Sequence, residues 1–202
     1  RVRLRSRTML DLSAAICFAE TAIVSLVDAR GAVLGMVGRE GMAGWSLLLS
    51  DTASRAAALV ECGGDALTIP LPVFSRLCRE SLAIKLAVVG FIEALASQMM
   101  AVISASIHQP AGARLARRLL MLDARSAAES LDVTHAQLAT ALGLRRATIT
   151  DLLHIFEGER LVRCTRNSMR LLDRAALARM AGDGKTPLEI ELSPAAVPPL
   201  SV

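Results

Sequence analysis

Thr134-His135-Ala136-Gln137-Leu138-Ala139-Thr140-Ala141-Leu142-Gly143-Leu144-Arg145-Arg146-Ala147-Thr148-Ile149-Thr150-Asp151-Leu152-Leu153-His154-Ile155-Phe156 decides the fold, because it reads as two short helices joined by a glycine turn. Thr134 and Gln137 have the spacing of a capping box, in which the hydroxyl accepts the N–H three residues on and the Gln side chain reaches back to the cap N–H. Leu138, Ala141 and Leu142 form one apolar stripe, and Gly143 suits the left-handed residue that ends a helix. In the second helix Ile149, Leu152, Leu153 and Phe156 follow at i, i+3, i+4 and i+7, so Arg146, Thr150 and His154 share the outward face. Arg145 stands where a Ser or Thr cap is the usual choice, so this helix is expected to start without a side-chain cap. An ordinary amphipathic hairpin is the alternative, but a basic, hydrogen-bonding face behind a glycine turn fits the major groove of DNA. Arg there can bond guanine O6 and N7, and Thr a base edge or methyl.

Downstream, Gly158-Glu159-Arg160 breaks the helical pattern. Leu161–Cys164 and Ser168–Leu172 read as two strands around Thr165-Arg166-Asn167-Ser168, a hairpin wing. Arg163, Arg166 and Asn167 are placed beside the phosphate backbone, where contacts set register without reading bases. Residues 110–181 hold twelve Arg and no Lys against seven acidic residues, whereas the rest of the chain is close to neutral.

Upstream, Arg1, Arg3, Arg5 and Arg7 alternate with smaller residues, the pattern of a strand with one solvated face. Ala22–Val27 and Ala32–Val37 flank Asp28-Ala29-Arg30-Gly31, and Ala56–Cys62 and Ala66–Ile69 flank Gly63-Gly64-Asp65. Both pairs read as hairpins of a β-roll. After Pro70-Leu71-Pro72 a short helix leads into one from about Ser81 to Ile107, about 40 Å long at 1.5 Å per residue. Val88, Ile92, Leu95, Met99, Val102 and Ser106 step by four and three along it, a heptad seam expected to pair two copies of the chain. Glu93 and Gln98 lie off the seam. Pro110 suits the first turn of a further helix running to about Asp123.

The chain has 202 residues, 53% of them hydrophobic, and a mean hydropathy of +0.46. A membrane span over Leu86–Ile107 is therefore weighed first and set aside, because Glu93, Gln98 and several Ser interrupt it. Cys17, Cys62, Cys78 and Cys164 are scattered without metal-ligand spacing, so neither a disulfide framework nor a metal site is expected. His108, His135 and His154 accompany no nucleophile elbow, metal spacing or phosphate loop, and no enzyme is expected. No signal peptide is seen, which points to the cytoplasm. The first residue is Arg rather than Met, which suggests a preceding segment.

A β-roll, a long dimer helix, a hinge and a winged helix-turn-helix, in this order, resemble the Crp/Fnr family of bacterial transcription regulators. The residues carrying the resemblance are Val37-Gly38-Arg39-Glu40-Gly41-Met42-Ala43-Gly44, Ala113–Leu122 with Arg114-Leu115-Ala116, and the helix pair from Thr134. It implies that Arg146 reads guanine and Thr148 contacts phosphate, while Ala147 and Asp151 replace the family's usual Glu and Arg readers, so the operator should differ from the best-known one. In members that bind cyclic nucleotides, a Glu after a Gly takes the ribose hydroxyl and an Arg eleven residues after that Gly takes the phosphate. Gly44 and Arg55 keep that spacing, but Trp45 holds the Glu position, Ala56 follows the Arg, and Met99 and Met100 stand where hydroxyls meet the base. Cyclic AMP is therefore not expected, and the cofactor is unknown; Cys17 alone makes neither an iron–sulfur nor a haem case.

The expected class is α+β, with a β-roll over 1–80, a dimerisation helix and hinge over 81–109, a winged helix-turn-helix over 110–181 and a tail over 182–202. The expected function is a dimeric regulator binding a pseudo-palindromic operator, with a degenerate or repurposed effector pocket made from Gly44, Trp45, Arg55, Met99 and Met100. Its DNA-binding residues are Thr134, Gln137, Arg145, Arg146, Thr148, Thr150, Asp151, Arg163, Arg166 and Asn167. Double-stranded DNA and a second copy are the expected partners, RNA polymerase a further candidate, and no membrane. The alternative is a ligand-binding signal-relay protein whose helix-turn-helix is vestigial.

Overall fold

The computed structural model describes residues 1–49, 57–165 and 168–182. Strands β1 (Val2–Leu4), β2 (Ala15–Ala19), β5 (Met42–Ala43) and β7 (Gly64–Pro70) form one antiparallel sheet in the order β1-β7-β2-β5. Strands β3 (Ile23–Val27), β4 (Val33–Val37) and β6 (Ala57–Cys62) form a second in the order β4-β3-β6. Apolar residues of both sheets meet in one core, including Cys17, Val24, Val37, Ala43, Ala58 and Ala66, which makes the β-roll. The first anticipated hairpin is present as β3 and β4. Asp28 Oδ1 accepts the N–H groups of Arg30 and Ala32, and Gly31 takes the left-handed φ of 84° that closes the turn.

The second anticipated hairpin is absent. β6 pairs with β3, whereas β7 pairs with β1 and β2, so Gly63-Gly64 carries the chain from one sheet to the other. Gly64 is needed for close approach, because a Cβ there would lie 2.5 Å from the Ala22 nitrogen. A glycine pair between two apolar runs looks the same in sequence whether the runs pair or part. The arginine strand is also shorter than its alternation suggests: β1 stops at Leu4, with Arg1 and Arg3 in exposed ion pairs to Glu20 and Asp65.

Pro70 stops β7 and starts helix α1 (Leu71–Glu80), and Ser81 caps helix α2 (Leu82–His108) by accepting the Ile84 N–H. α2 lies along β4, the edge strand of its sheet. There the Gln98 amide accepts the Met36 N–H at 2.6 Å and donates to the Met36 carbonyl at 3.2 Å, satisfying the strand edge as a further strand would. Of the expected seam this takes Leu95 and Met99 inward, while Val88, Ile92 and Val102 are half-buried and Ser106 is exposed. Leu95 is 3% exposed and packs, with Met99, on the roll beside Gly35, and Gln98 faces inward with them. The large apolar residues left uncovered are instead Leu82, Leu86 and Val89, then Met100, Ile103 and Ile107, one position further along, with exposed Glu93 and Ala96 at the two intervening positions of the four-three count. By length and composition this helix is also apolar enough to cross a membrane.

After Pro110 come helices α3 (Ala111–Arg125), α4 (His135–Leu142) and α5 (Arg146–Gly158), strands β8 (Val162–Thr165) and β9 (Ser168–Leu171), and helix α6 (Arg174–Met180). Leu119, Leu138, Ile149, Leu153, Phe156 and Leu177 form their core, which runs on without a break into Ile23 of β3 and Met36 of β4. Among the described residues an exposed ion pair, Arg7 with Asp132 at 3.9 Å, and two buried ones cross the same junction. Arg118 of α3 pairs with Glu61 of β6, both about 95% buried, while Ser25 donates its hydroxyl to the same carboxylate. Arg125 Nε donates to Glu40 Oε1 at 2.6 Å. The tip of the roll also seats α4, since the Thr140 methyl lies 2.8 Å from where a Cβ on Gly31 would stand.

Candidate nucleic-acid interface

The capping box of α4 is complete. Thr134 Oγ1 accepts the Gln137 N–H at 3.2 Å, and Gln137 Oε1 accepts the Thr134 N–H at 2.8 Å. Gly143 ends the helix in the left-handed region at φ 62°. α5 then starts at Arg146 without a side-chain cap on its first N–H groups, as Arg145 foretold. Ile149, Leu153 and Phe156 are buried as the inward stripe, and Leu152 is half-buried.

Arg145, Arg146, Ala147, Asp151 and His154 are exposed on the outer side of α5, and Thr148 is half-buried. The start of α5 thus combines two guanidinium groups with the positive end of a helix dipole and unshared backbone donors, an arrangement that attracts phosphate. Thr150 has a different place from that expected of it. Its hydroxyl donates to the Arg146 carbonyl at 3.1 Å and sits 3.0 Å from His135 Nδ1, so it ties the start of α4 to the middle of α5. Thr134 and Gln137 likewise spend their side chains inside the motif. The exposed stripe therefore runs through Ala147, Asp151 and His154, with Arg146 beside its start.

The wing is the antiparallel pair β8 and β9, with Arg163 exposed on β8 opposite Arg170. Arg166 and Asn167, expected at its tip, lie outside the described residues. Sequence reasoning missed the bonds that fix the wing and the helices to each other. Glu157 of α5 accepts the Cys164 N–H at 2.8 Å, and Arg114 of α3 donates to the Leu142 carbonyl at the end of α4. Nothing in local spacing announces such links. Burial pushes the Cys62 thiol up to about 11, with neighbouring Glu61 adding to the effect, and burial does the same for Cys164, helped by Glu157. Both stay protonated at neutral pH and are poor nucleophiles or metal ligands.

In the roll, Gly44, Trp45 and Met99 come together around a cavity of about 420 Å³ also lined by Leu12, Leu26 and Asp11. Met100 does not join them; it is 63% exposed on the opposite side of α2. Arg55 and Ala56 lie outside the described residues.

Residues 113–180 match the Crp-like helix-turn-helix domain. The chain carries a Crp-like helix-turn-helix domain. Across nearly its whole length it also has the fold of the CRP/FNR regulators. A CRP-family transcriptional regulator from Thermus thermophilus superposes with a TM-score of 0.75 over 91% of this chain and 97% of its own, at 20% identity. FixK2 from Bradyrhizobium japonicum gives 0.74 over 91% and 98%, at 13% identity. The c-di-GMP responsive global regulator CLP of Xanthomonas campestris gives 0.67 over 85% and 93%, at 17% identity. No curated relative matches the chain. The Crp-like domain contains α3 to α6 and the wing, and so every residue named above for the groove and phosphate backbone.

Proposed function

We propose that the protein is a DNA-binding transcription regulator that works in the cytoplasm as a homodimer, with α5 in the major groove and the wing on the backbone. The observation that carries this reading is the uncapped, doubly basic start of α5, exposed at the end of a rigid helix pair. Roll (1–80), dimer helix and hinge (81–109), reader (110–181) and tail (182–202) are its working parts. Arg146 is the base reader, Asp151 a second one suited to a cytosine or adenine amino group, and Arg145, Thr148 and Arg163 hold phosphate. Arg166 and Asn167 are assigned to the backbone by their place between the wing strands. Thr134, Gln137 and Thr150 act by holding the helices rather than by touching bases.

Two copies pair through the exposed apolar face of α2, in two clusters at Leu82, Leu86 and Val89 and at Met100, Ile103 and Ile107, which sets two readers on half-sites about one helical turn apart. RNA polymerase is the partner we assign to a regulator seated on its operator.

The test compares Arg146→Ala with Arg163→Ala on an operator selected from random duplexes and on a scrambled duplex, at several salt concentrations. Arg146→Ala should cost about 1–3 kcal/mol on the operator alone and relax preference at one base pair. Arg163→Ala should weaken both duplexes alike and lower the salt slope by about one. Equal losses on both duplexes for Arg146→Ala would make that residue a phosphate anchor and reverse the orientation of α5.

The cavity at Gly44, Trp45 and Met99 is a repurposed effector pocket that does not take cyclic AMP. Trp45 and Met99 offer the ribose hydroxyls no carboxylate acceptor, and Met99 offers the base no hydroxyl. Asp11 stands exposed at the mouth, its carboxyl held below the usual range by the Ser13 N–H. Calorimetry should detect no binding of cyclic AMP in the micromolar range; a micromolar constant would overturn the repurposing.

A further inference from the structure

A second cavity, of about 140 Å³, lies where β4, α2, α3 and α4 meet, walled by Val33, Val102, Ala105 and Ala141. Its size is close to the roughly 150 Å³ that accepts one benzene ring in an apolar protein interior. One wall differs. α3 turns Arg114, Arg117, Arg118 and Met121, at i, i+3, i+4 and i+7, toward this space.

Arg114 is half-buried, and it donates to a neutral carbonyl, that of Leu142. It has no carboxylate partner among the described residues. Arg118 is 4% exposed, and although its Nη2 is held by Glu61, its Nε–H is shut away from solvent with no acceptor among the described residues. A guanidinium carries five N–H donors in a planar fork that matches a carboxylate. An apolar chamber the size of one ring, with uncommitted guanidinium donors on one side, is complementary to one kind of molecule.

We propose that this junction binds a small aromatic or branched aliphatic carboxylate of about the size of benzoate. Its hydrocarbon body lies between β4 and α2, and its carboxylate meets Arg114 and the Arg118 Nε–H. A nucleotide is too large for the space, and a neutral hydrocarbon would leave the buried donor unmet. Such a ligand touches the roll, the dimer helix and the first helix of the reader at once. The site is independent of the DNA reading, so failure of one leaves the other standing.

The test is calorimetry on the full chain with benzoate, isovalerate and, as a neutral shape match, benzyl alcohol. Saturable binding of at least one carboxylate in the millimolar range or tighter is expected, with benzyl alcohol weaker by about tenfold or more, the loss of one charge-assisted contact. Arg114→Met should weaken the carboxylate about tenfold and leave benzyl alcohol unchanged. Ala105→Leu should fill the chamber and abolish both; Ala32→Leu at its rim replaces that variant if thermal melting shows it unfolded. No binding of either carboxylate, equal affinity for benzoate and benzyl alcohol, or full carboxylate affinity in Arg114→Met would overturn the site.

Discussion

Arg118→Met should lower the unfolding free energy by about 3–5 kcal/mol, because it leaves the Glu61 carboxylate buried with its cation gone. The loss is large because water cannot reach the abandoned charge, and the remaining Ser25 hydroxyl supplies one hydrogen bond where an ion pair stood. For a chain of this length the melting temperature should fall by on the order of 10 °C. Replacing both partners, Arg118→Met with Glu61→Leu, should recover most of the loss, since the cost of desolvating two charges disappears with them. Chemical denaturation of the three proteins is the measurement. A single variant within about 1 kcal/mol of the parent would mean that water enters the junction.

The second large effect concerns assembly. Leu86→Glu combined with Met100→Glu should turn a dimer into a monomer, because it sets like charges against each other across a seam that must exclude water. Leu95→Glu should behave differently: it puts a charge between α2 and β4 and so weakens the protomer itself. Sedimentation reads the first and thermal melting the second. Unchanged stoichiometry in the double variant would remove the exposed face of α2 as the pairing surface.

The helix pair was legible because everything that makes it is local: the cap, the turn glycine and the apolar stripe fall within 23 residues. The wing followed from the same kind of signal. The register of α2 was not legible, and the reason is physical. This helix is apolar on two sides, one against its own roll and one open, and a four-three count finds a stripe without saying which surface it meets. Only the Gln98 amide on Met36 settles the inner side. The partners of Thr150 were hidden for a similar reason, since helical spacing gives the direction of a side chain but not the His135 ring that it meets. Glu61 and Arg118 stand 57 residues apart, so no local spacing could have paired them. In the roll, Gly44, Trp45 and Met99 line one cavity, while Met100 faces away from it on the exposed side of α2.

The unbroken core from Ile23 and Met36 into α3 and α4 bears on how the molecule comes apart. If the reader were a separate bead on a hinge, heat would melt it alone, and its recognition helix would wander while the roll stayed intact. With apolar contacts and two buried ion pairs shared across the boundary, unfolding either half strips the other of part of its interior, and the two should melt in a single cooperative transition by calorimetry. The reader's orientation is then a property of the whole chain's stability. Any change that loosens the roll is felt at the groove before a residue that touches DNA has been altered.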